Sequence, residues 1–448
     1  MALPQALLNS LEKAPGFNRN AFEAVHASEE QIVSIRKNPD KKAEPQPINI
    51  DSAVPWCPHG YYLKERPIFT ADPLFHAGTY YVQEASSMFL WHILQSTIGN
   101  NTKNKKVLDL SAAPGGKSTL LLSYFSDGLV VANEVIKSRA NILVENITKW
   151  GTDHVVVTNN DPVHFQKLPA FFDVIVVDAP CSGSGLFRKD PQAIEEWSPE
   201  AVTLCSERQE RILADILPAL AENGLLIYST CSYSVEENEF VADWLIDKMA
   251  LEPVPISINN DWGIIQTITN GFRFYPNQVK GEGFFAAVFR KPVADPQLYL
   301  KEQSLTSLNK TEKIIVEQFC KLPAIFSYFK IQDEIRVIHN DYQTILQQLA
   351  AHLYIKKAGI ALGMLKGKDF VPAHDFAVSI FKKTDIQQVE LSEDQAMDYL
   401  RRKDFFIEGP KGWVLCTYQQ QGLGWAKLLP NRLNNYYPSE WRIRKDSF

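Results

Sequence analysis

Between residues 100 and 245, short apolar runs alternate with helical patterns, and this alternation leaves few possible folds. Strands that alternate with helices pair in parallel, because each helix returns the chain to the starting edge of the sheet. The pattern predicts an α/β fold with a doubly wound, mostly parallel sheet. The predicted strands are KKVLDL (105–110), GLVVANE (128–134), DHVVVTNND (153–161), FFDVIVVDAP (171–180) and GLLIYSTCS (224–232), and the predicted helices lie near 117–126, 137–150, 199–217 and 236–249.

The segments outside this core have other patterns. Residues 271–277 and 281–291 predict two strands joined by a short turn, an antiparallel hairpin at the sheet edge. Residues 1–70 begin with a helical pattern and continue through a strand in SIRKNP. Beyond a polar linker, residues 311–360 predict mostly helix, and residues 371–448 predict a small mixed α/β or β-barrel module. The expected regions are therefore 1–70, 71–292, 293–370 and 371–448.

Composition excludes several classes of protein. The chain has 448 residues, more than one core supports, with a net charge of -6 that argues against a non-specific nucleic-acid coat. No apolar run reaches the roughly 18 residues of a membrane span, and the N-terminus lacks the pattern of a signal peptide. Six scattered cysteines fit neither a disulfide framework nor a zinc site. We expect a cytoplasmic protein that binds no metal or membrane.

The last 38 residues combine positive charge with aromatic rings. From Lys411 to Phe448 there are six Lys or Arg against two acids, interleaved with tryptophan and tyrosine. Such mixtures suit phosphate contact and base stacking. A solvated surface beside a small β core is an equally good interpretation.

A glycine-rich loop, SAAPGGKS (111–118), follows the first predicted strand and opens a helix. Glycines allow a ligand to approach the backbone, and a helix N-terminus favours negative charge. The loop ends like the phosphate-binding loop of NTPases, but that motif needs a glycine where this chain has Ser111. The dinucleotide fingerprint GxGxxG is also absent. A nucleoside-binding α/β domain remains.

Acidic residues end three of the predicted strands. Glu134 closes the second, where such domains hold ribose hydroxyls, and Asp161 closes the third, where it would accept from an adenine amino group. Asp178 lies near the end of the fourth. One acid at a strand end is often only a helix cap, but three in register favour a ligand crevice.

Two cysteines follow neighbouring strands, Cys181 in DAPCSGSG and Cys231 in YSTCSY. Neighbouring strands lie roughly 5 Å apart, so both side chains can face one pocket. A lone cysteine here is usually a small core residue, but two beside an acid and a cofactor loop favour chemistry. Spacing alone leaves open which cysteine acts as the nucleophile.

Pyrimidine chemistry explains why two cysteines and an acid would lie together. Carbon 5 of a pyrimidine becomes nucleophilic when a thiolate adds to carbon 6. Asp178 would protonate or hydrogen-bond ring nitrogen 3, and a base must then remove the proton from carbon 5.

Five segments carry a family resemblance: HAGTYYVQEASSM (76–88), VLDLSAAPGGKS, DAPCSGSGLFRKDP, YSTCSYSVEENE and GEGFFAAVFRK. On these the chain resembles the Sun-type (Nol/Nop/Sun) RNA cytosine-5 methyltransferases. It is most similar to their small-subunit ribosomal-RNA methyltransferase F type, through SIRKNP and VPWCPHGYY upstream and PAHDFAVSI, VELSEDQAMDYLR and LGWAKLLPNRLNNYYP downstream.

The resemblance implies roles for individual residues. It makes Cys231 the nucleophile and Cys181 the residue that promotes product release, with Asp178 near the target base. Ser111 and Lys37 depart from the family, where Cys or Ala and an apolar residue are more usual. The implied contacts to S-adenosylmethionine are Ser111, Ala112, Ala113, Pro114, Gly115, Gly116, Lys117, Glu134, Asp161 and Asp178.

The expected function is therefore methyl transfer from S-adenosylmethionine to carbon 5 of a cytosine in RNA, most closely small-subunit ribosomal RNA. The resemblance makes 71–292 the methyltransferase domain, 1–70 an N-terminal RNA-binding region and 371–448 a PUA-like RNA-binding module. A monomer is expected, acting on a base flipped out of its stack. Alternatives are a tRNA cytosine-5 methyltransferase, an amino-directed methyltransferase and a ribosome-assembly factor without catalysis.

Other marked residues have plainer expectations. Cys57 and His59 are expected to pack in the core rather than bind metal. Cys205 is expected to lie on a helix, with its side chain in the protein core. Lys189 either contacts substrate or faces solvent. Gln83 and Glu84 either shape the pocket or serve the local structure.

Overall fold

The computed structural model describes residues 3–28, 30–43, 48–293, 299–367, 369–381, 383, 386–405, 407–409, 411–430 and 432–445. Residues 294–298 of the expected linker, and residues 431 and 446–448 of the basic C-terminal segment, lie outside the described residues.

The N-terminal part is a small antiparallel sheet with helices around it. Its elements are α1 (Gln5–Leu11), α2 (Arg19–Ala27), β1 (Ser34–Lys37), β2 (Ile50–Ala53), β3 (Gly60–Leu63), α3 (Pro73–His76), β4 (Tyr80–Val82) and α4 (Phe89–Thr97). The strand order is β2-β3-β1-β4, and the strand expected in SIRKNP is β1. Helix α2 begins where the Asn18 side chain accepts a hydrogen bond from Ala21 N, which satisfies one of its free donors.

The predicted doubly wound sheet is confirmed. Five parallel strands form its centre, in the order β9-β8-β5-β6-β7: β5 (Lys106–Asp109), β6 (Leu129–Asn133), β7 (Val155–Thr158), β8 (Phe172–Asp178) and β9 (Leu220–Thr230). The order reverses at β5, and ligands bind at such switch points, outside the carboxyl ends of the strands. The helices that follow these strands are α5 (Gly116–Tyr124), α6 (Lys137–Trp150), α7 (Gln192–Glu196), α8 (Pro199–Ile216) and α9 (Glu239–Asp247).

Helices cover both faces of this sheet, so its strands are apolar on both sides. Every residue of β6 and β7 is buried. Val107 and Val130 pack into one apolar cluster, while Leu108 and Val131 pack into another. This explains why the strands are continuous apolar runs rather than alternating ones.

The predicted hairpin is also confirmed, but it does not form the sheet edge. Its strands β12 (Phe272–Phe274) and β13 (Phe284–Arg290) pair antiparallel, and β13 pairs with β9. Beyond β12 lies a two-residue strand, β11 (Ile265–Gln266), and β10 (Glu252–Pro253) pairs with the far end of β13.

The expectation that residues 311–360 are mostly helical was wrong. This part contains α10 (Lys310–Phe319), β14 (Phe326–Ile331), β15 (Glu334–His339), α11 (Gln343–His352) and β16 (Ile355–Ala358). Strands β14 and β15 form a hairpin whose two-residue turn begins at Gln332, which has a left-handed φ of 55°. The turn contains no glycine, so the usual hairpin marker was missing.

The C-terminal part adds two small sheets and one strand of the central sheet. Strand β16 extends the central sheet antiparallel to β7. The remaining elements are β17 (Ile360–Lys366), β18 (Asp369–Pro372), α12 (His374–Val378), β19 (Gln388–Glu390), α13 (Glu393–Arg401), β20 (Gly412–Tyr418), β21 (Gln421–Leu429) and β22 (Arg432–Asn435). The two sheets are β14-β15-β17-β18 and β19-β20-β21-β22. The second sheet, with α12 and α13, gives residues 371–448 the predicted mixed α/β character. Within the described ranges, no helix is long and apolar enough to cross a membrane.

A buried lysine joins all three parts of the chain. Lys41 Nζ donates to the carbonyl oxygens of Ala77 (2.7 Å), Lys149 (2.5 Å) and Val378 (2.6 Å). Burial, and then the nearby Lys383, lower the pKa of Lys41. Three acceptors nevertheless match the three N–H groups of an ammonium. The N-terminal part, α6 and α12 are thus held by one side chain.

We predict that Lys41→Met destabilises the protein. Methionine fills similar space but leaves three buried carbonyl oxygens unpaired, at about 1–3 kcal/mol for each lost partner. The urea midpoint should fall by the equivalent of at least ~2 kcal/mol. Lys42→Met, at the exposed neighbouring position, is the control and should stay within ~0.5 kcal/mol. Equal midpoints for the two variants would contradict the role of Lys41.

Candidate active site

The glycine-rich loop joins β5 to α5 at the switch point of the sheet. Gly115 has a φ of 121°, a conformation that favours glycine, and it precedes the first residue of α5. Side chains of α6 hold the loop from outside: Arg139 donates to Ala113 O (2.8 Å) and Asn146 donates to Pro114 O (2.8 Å). Ala112 N donates to Asn133 O (2.8 Å). The loop is therefore fixed to the neighbouring strand and helix.

Behind this loop lies an acid that the sequence pattern did not single out. Asp109, the last residue of β5, is fully buried, and its Oδ2 accepts from Ser118 Oγ at 2.6 Å. Burial raises the pKa of Asp109 to about 7, although Ser118 and Lys117 oppose the shift. The sequence offered one indication of this residue, namely an acid within the otherwise apolar strand VLDL.

Glu134 lies at the expected end of the second strand. It directly follows β6 and is 2% exposed. One carboxylate oxygen, Oε1, accepts from Ile136 N at 2.9 Å, while Oε2 is buried without a hydrogen-bond partner among the described residues. Arg139 Nη1 lies 3.7 Å from Oε2, beyond hydrogen-bond distance. Glu134 thus presents an unused acceptor at the carboxyl edge of the sheet.

Asp161 does not close the third strand as predicted. Strand β7 ends at Thr158, and Asp161 begins a 3-10 helix, where its side chain accepts from Val163 N at 3.2 Å. The polar run of two asparagines before it ends the strand early, because Asn159 and Asn160 bond to loop backbone instead of continuing the ladder. Asp161 is partly exposed, 3.8 Å from Arg211.

Lys117 and Asp178 form an ion pair across the crevice. Lys117 Nζ lies 2.8 Å from Asp178 Oδ2, and Ser229 Oγ donates to Asp178 Oδ1 at 2.8 Å. Burial disfavours the charge on Lys117, but Asp178 outweighs it and raises the pKa of Lys117. The pair joins the glycine-rich loop, β8 and β9. Ser229, two residues before Cys231, had no predicted role.

The two cysteines lie in contact. Cys181 Sγ and Cys231 Sγ are 3.1 Å apart, and both residues are partly exposed. Strand pairing places them: β8 and β9 are parallel with Asp178 opposite Ser229, and Gly185 N donates to Cys231 O at 2.8 Å. The bond with Cys231, and then burial, raise the pKa of Cys181 well above its usual value. The structure thus brings together two thiols beside the Lys117–Asp178 pair.

The other residues singled out in the sequence have the following surroundings. Cys57 is buried, and the His59 ring packs on Trp91 at 5.2 Å, which confirms packing roles. Cys205 is partly exposed on α8, so its expected core position was wrong. Lys189 is exposed. In the described part of the chain, no group of three His, Cys, Asp or Glu residues is placed to hold a metal.

Gln83 and Glu84 bind neighbouring segments to one another. Gln83 Oε1 accepts from the buried Arg36 Nε at 2.8 Å, and Arg36 in turn donates to Thr119 Oγ1 at 2.6 Å on α5. Glu84 Oε1 accepts from Glu282 N at 2.9 Å. Both side chains therefore hold together the structure around the glycine-rich loop and β13.

Three family models match the chain. They are 16S rRNA methyltransferase RsmB/F over residues 96–290, the PUA domain of methyltransferase RsmF over 387–443, and the N-terminal domain of 16S rRNA methyltransferase RsmF over 3–85. A ribosomal RNA small subunit methyltransferase F from Serratia proteamaculans is 31% identical over 410 residues, 86% of this chain and 84% of that protein. The protein of the same name from Psychromonas ingrahamii is 31% identical over 87% of this chain and 85% of its own length.

Solved structures share the fold. A methyltransferase homologue from Pyrococcus horikoshii is 28% identical with a TM-score of 0.50, and the match covers 64% of this chain and all of that one (100%). NSun6 from Pyrococcus horikoshii, solved with SFG, is 19% identical with a TM-score of 0.51 over 65% of this chain and 98% of its own. At 19% identity, the similarity to NSun6 shows a shared fold and nothing about function.

The buried Asp109 predicts a pH-dependent stability. Its pKa is raised on folding from the ordinary 3.8 to about 7, so the folded protein holds a proton that the unfolded chain releases. The stabilisation of the folded protein by this proton is fully present below pH 3.8 and is lost as the pH rises through 7. Asp109→Asn, which imitates the protonated acid, should remove the loss.

The measurement is the urea midpoint of wild type and Asp109→Asn without cofactor. Between pH 5 and pH 8, wild type should lose about 2–3 kcal/mol more than the variant. Asp173→Asn, at a partly exposed acid of β8, serves as the control and should follow wild type. Parallel pH profiles for wild type and Asp109→Asn would contradict the raised pKa.

Proposed function

Because the chain belongs to the 16S rRNA methyltransferase RsmB/F family, we propose that it transfers a methyl group from S-adenosylmethionine to carbon 5 of a cytosine in small-subunit ribosomal RNA. One observation carries the proposal beyond methyl transfer in general, namely the contact of two thiols at 3.1 Å beside a carboxylate. Methylation of an amino group needs an oriented lone pair and no thiol. Methylation of a pyrimidine carbon needs a nucleophile and a later base.

The cofactor fits the carboxyl edge of the sheet. Glu134 Oε2 is buried and lacks a donor among the described residues, and a ribose hydroxyl would supply one. We propose that Glu134, the loop from Ser111 to Lys117, Asp161 and Asp178 hold S-adenosylmethionine. When bound, it supplies an electrophilic methyl group on a sulfonium.

We assign Cys231 the first step. Its thiolate forms a bond to carbon 6 of the flipped cytosine, and the electron pair of the carbon 5–carbon 6 double bond becomes available at carbon 5 for methylation. Asp178 is assigned to ring nitrogen 3, which takes up a proton as the thiolate adds to carbon 6 and returns it when the double bond re-forms. The Lys117 ammonium, 2.8 Å from the Asp178 carboxylate, supplies that proton through the carboxyl group.

Cys181 is assigned the last step. After methylation, carbon 5 carries both the methyl group and a proton. Cys181 takes that proton, the double bond reforms, and the carbon 6–sulfur bond breaks to release Cys231.

The outer parts of the chain supply RNA contacts in this proposal. In the C-terminal sheet the partly exposed Trp413 lies beside Tyr436, with ring centres 4.4 Å apart, and Lys427 Nζ lies 5.5 Å from the Trp413 ring. Aromatic rings beside a lysine suit base stacking together with phosphate contact. This observation favours RNA binding over a merely solvated surface.

We predict that Cys181→Ala accumulates a covalent protein–RNA adduct. The carbon 5 proton stays in place, so the bond from Cys231 to carbon 6 cannot break. The adduct should migrate slowly on a denaturing gel with small-subunit ribosomal RNA and cofactor, and Cys181→Ala/Cys231→Ala should form none. Cys205→Ala, at a partly exposed cysteine of α8, is the control and should behave like wild type.

Cys231→Ala alone should lower tritium transfer from labelled cofactor by at least ~10³-fold. Activity that survives this change would favour an amino-directed methyltransferase. Normal RNA binding by wild type without any transfer would favour an assembly factor. Bisulfite sequencing of ribosomal and transfer RNA after the reaction identifies the modified class, and protection only in transfer RNA would overturn the ribosomal assignment.

A further inference from the structure

The carboxylate of Glu237 lies between the two cysteine segments. Its Oε1 accepts from Ser182 N at 2.6 Å, and its Oε2 accepts from Ser182 Oγ at 2.6 Å and from Ser232 Oγ. Ser182 follows Cys181, and Ser232 follows Cys231. One fully buried side chain therefore bonds to the residue after each cysteine.

We infer that Glu237 is a positioning residue, which sets the distance between the two sulfur atoms by holding both segments. The inference rests on the proposed roles of Cys181 and Cys231. Glu237 itself touches neither sulfur in the described contacts, so it acts through Ser182 and Ser232.

Strand pairing alone does not extend to the sulfur atoms. The last paired residues are Asp178 of β8 and Ser229 of β9, with Thr230 as the final residue of β9. Cys181 lies three residues beyond β8, in a loop, whereas Cys231 lies one residue beyond β9. Beyond the last pair, the two segments are joined by backbone bonds such as Gly185 N to Cys231 O and by side-chain contacts such as those of Glu237. A displacement of ~1 Å at a reacting atom can cost ~10²-fold in rate.

Glu237 is itself held in place from behind. Its backbone carbonyl accepts from Tyr228 OH at 2.5 Å. The next residue, Asn238, accepts from Thr230 Oγ1 at 2.6 Å and donates to Ser232 O at 2.8 Å. The carboxylate is thus anchored to β9 and reaches across to the Cys181 loop.

A carboxylate here is costly for the fold. Burial raises the pKa of Glu237, while bonds from Ser182 and Ser232 oppose the shift. The neighbouring Glu239 is neutralised by a buried Arg273, but the partners of Glu237 are neutral donors. An apolar side chain would fill this space without desolvating a charge. The acceptor geometry, rather than packing, accounts for glutamate at this position.

The test is Glu237→Gln, with Glu236→Gln at the partly exposed neighbouring position as the matched control. Glutamine keeps the shape, but its amide nitrogen must replace one carboxylate oxygen. In place of Oε1 it would face the N–H of Ser182, and in place of Oε2 it would remove the acceptor that the two serine hydroxyls share. With transcribed small-subunit ribosomal RNA, kcat should fall at least ~10-fold. The KM for S-adenosylmethionine should stay within twofold, because the cofactor loop is not touched, and Glu236→Gln should leave both constants unchanged.

A double-mutant cycle separates positioning from general damage. If Glu237 acts through the serines, then Ser182→Ala/Ser232→Ala should also lower kcat, and adding Glu237→Gln should lower it little further. The inference would be overturned if the losses of kcat caused by Glu237→Gln and by Ser182→Ala/Ser232→Ala multiplied in the combined variant. It would also be overturned if the loss of kcat came with an equal rise in the KM for the cofactor. If Glu237→Gln does not fold, the single variant Ser232→Ala tests the inference instead. A wild-type kcat in Ser232→Ala would show that Glu237 does not act through Ser232.

The outcome is distinguishable from failure of the proposed function. An active Cys231→Ala variant would remove the cysteine mechanism itself, whatever Glu237 does. An inactive Cys231→Ala variant together with wild-type kcat for Glu237→Gln would leave the mechanism intact and overturn only the positioning role.

Discussion

The parallel pairing of β8 with β9 is the interaction on which the candidate site depends. It sets Asp178 opposite Ser229, and both segments then leave the sheet at the same edge. This register brings the segments of Cys181 and Cys231 side by side, and their sulfur atoms lie 3.1 Å apart. A slip of one residue would turn every side chain of one strand to the opposite face, and the site would be lost. The buried apolar residues of both strands oppose such a slip, so the core that stabilises the fold also aligns the chemistry.

Around that pairing, the site concentrates polar groups that a core otherwise excludes. Asp109 is buried against Ser118, Lys117 against Asp178, and Glu237 against two serines. Each loses hydration on folding, and each recovers part of that cost through hydrogen bonds or an opposite charge. Perturbed groups of this kind gather where a protein binds or reacts. Their position at the switch point of the sheet agrees with a single site that unites the glycine-rich loop and the thiols.

The outer parts of the chain are fastened to this sheet rather than tethered by linkers. Strand β16 adds to its edge beside β7, and the buried Lys357 of that strand pairs with Asp375 of α12. Lys41 joins the N-terminal part to α6 and α12. An RNA that contacts these outer surfaces would therefore lie in a defined geometry relative to the candidate site.

Local pattern in the sequence determined the sheet, its glycine-rich loop and the nearness of Cys181 and Cys231, because strand periodicity and strand ends depend on neighbouring residues. It failed for β14 and β15, whose turn at Gln332 has no glycine, and for Asp161, where the strand ends early. Only the tertiary structure decided which side chains meet. Lys41 and Val378 are 337 residues apart, and Glu237 bonds to Ser182 from 55 residues away. Such contacts are set by packing of the whole chain, and no short segment contains the information for them.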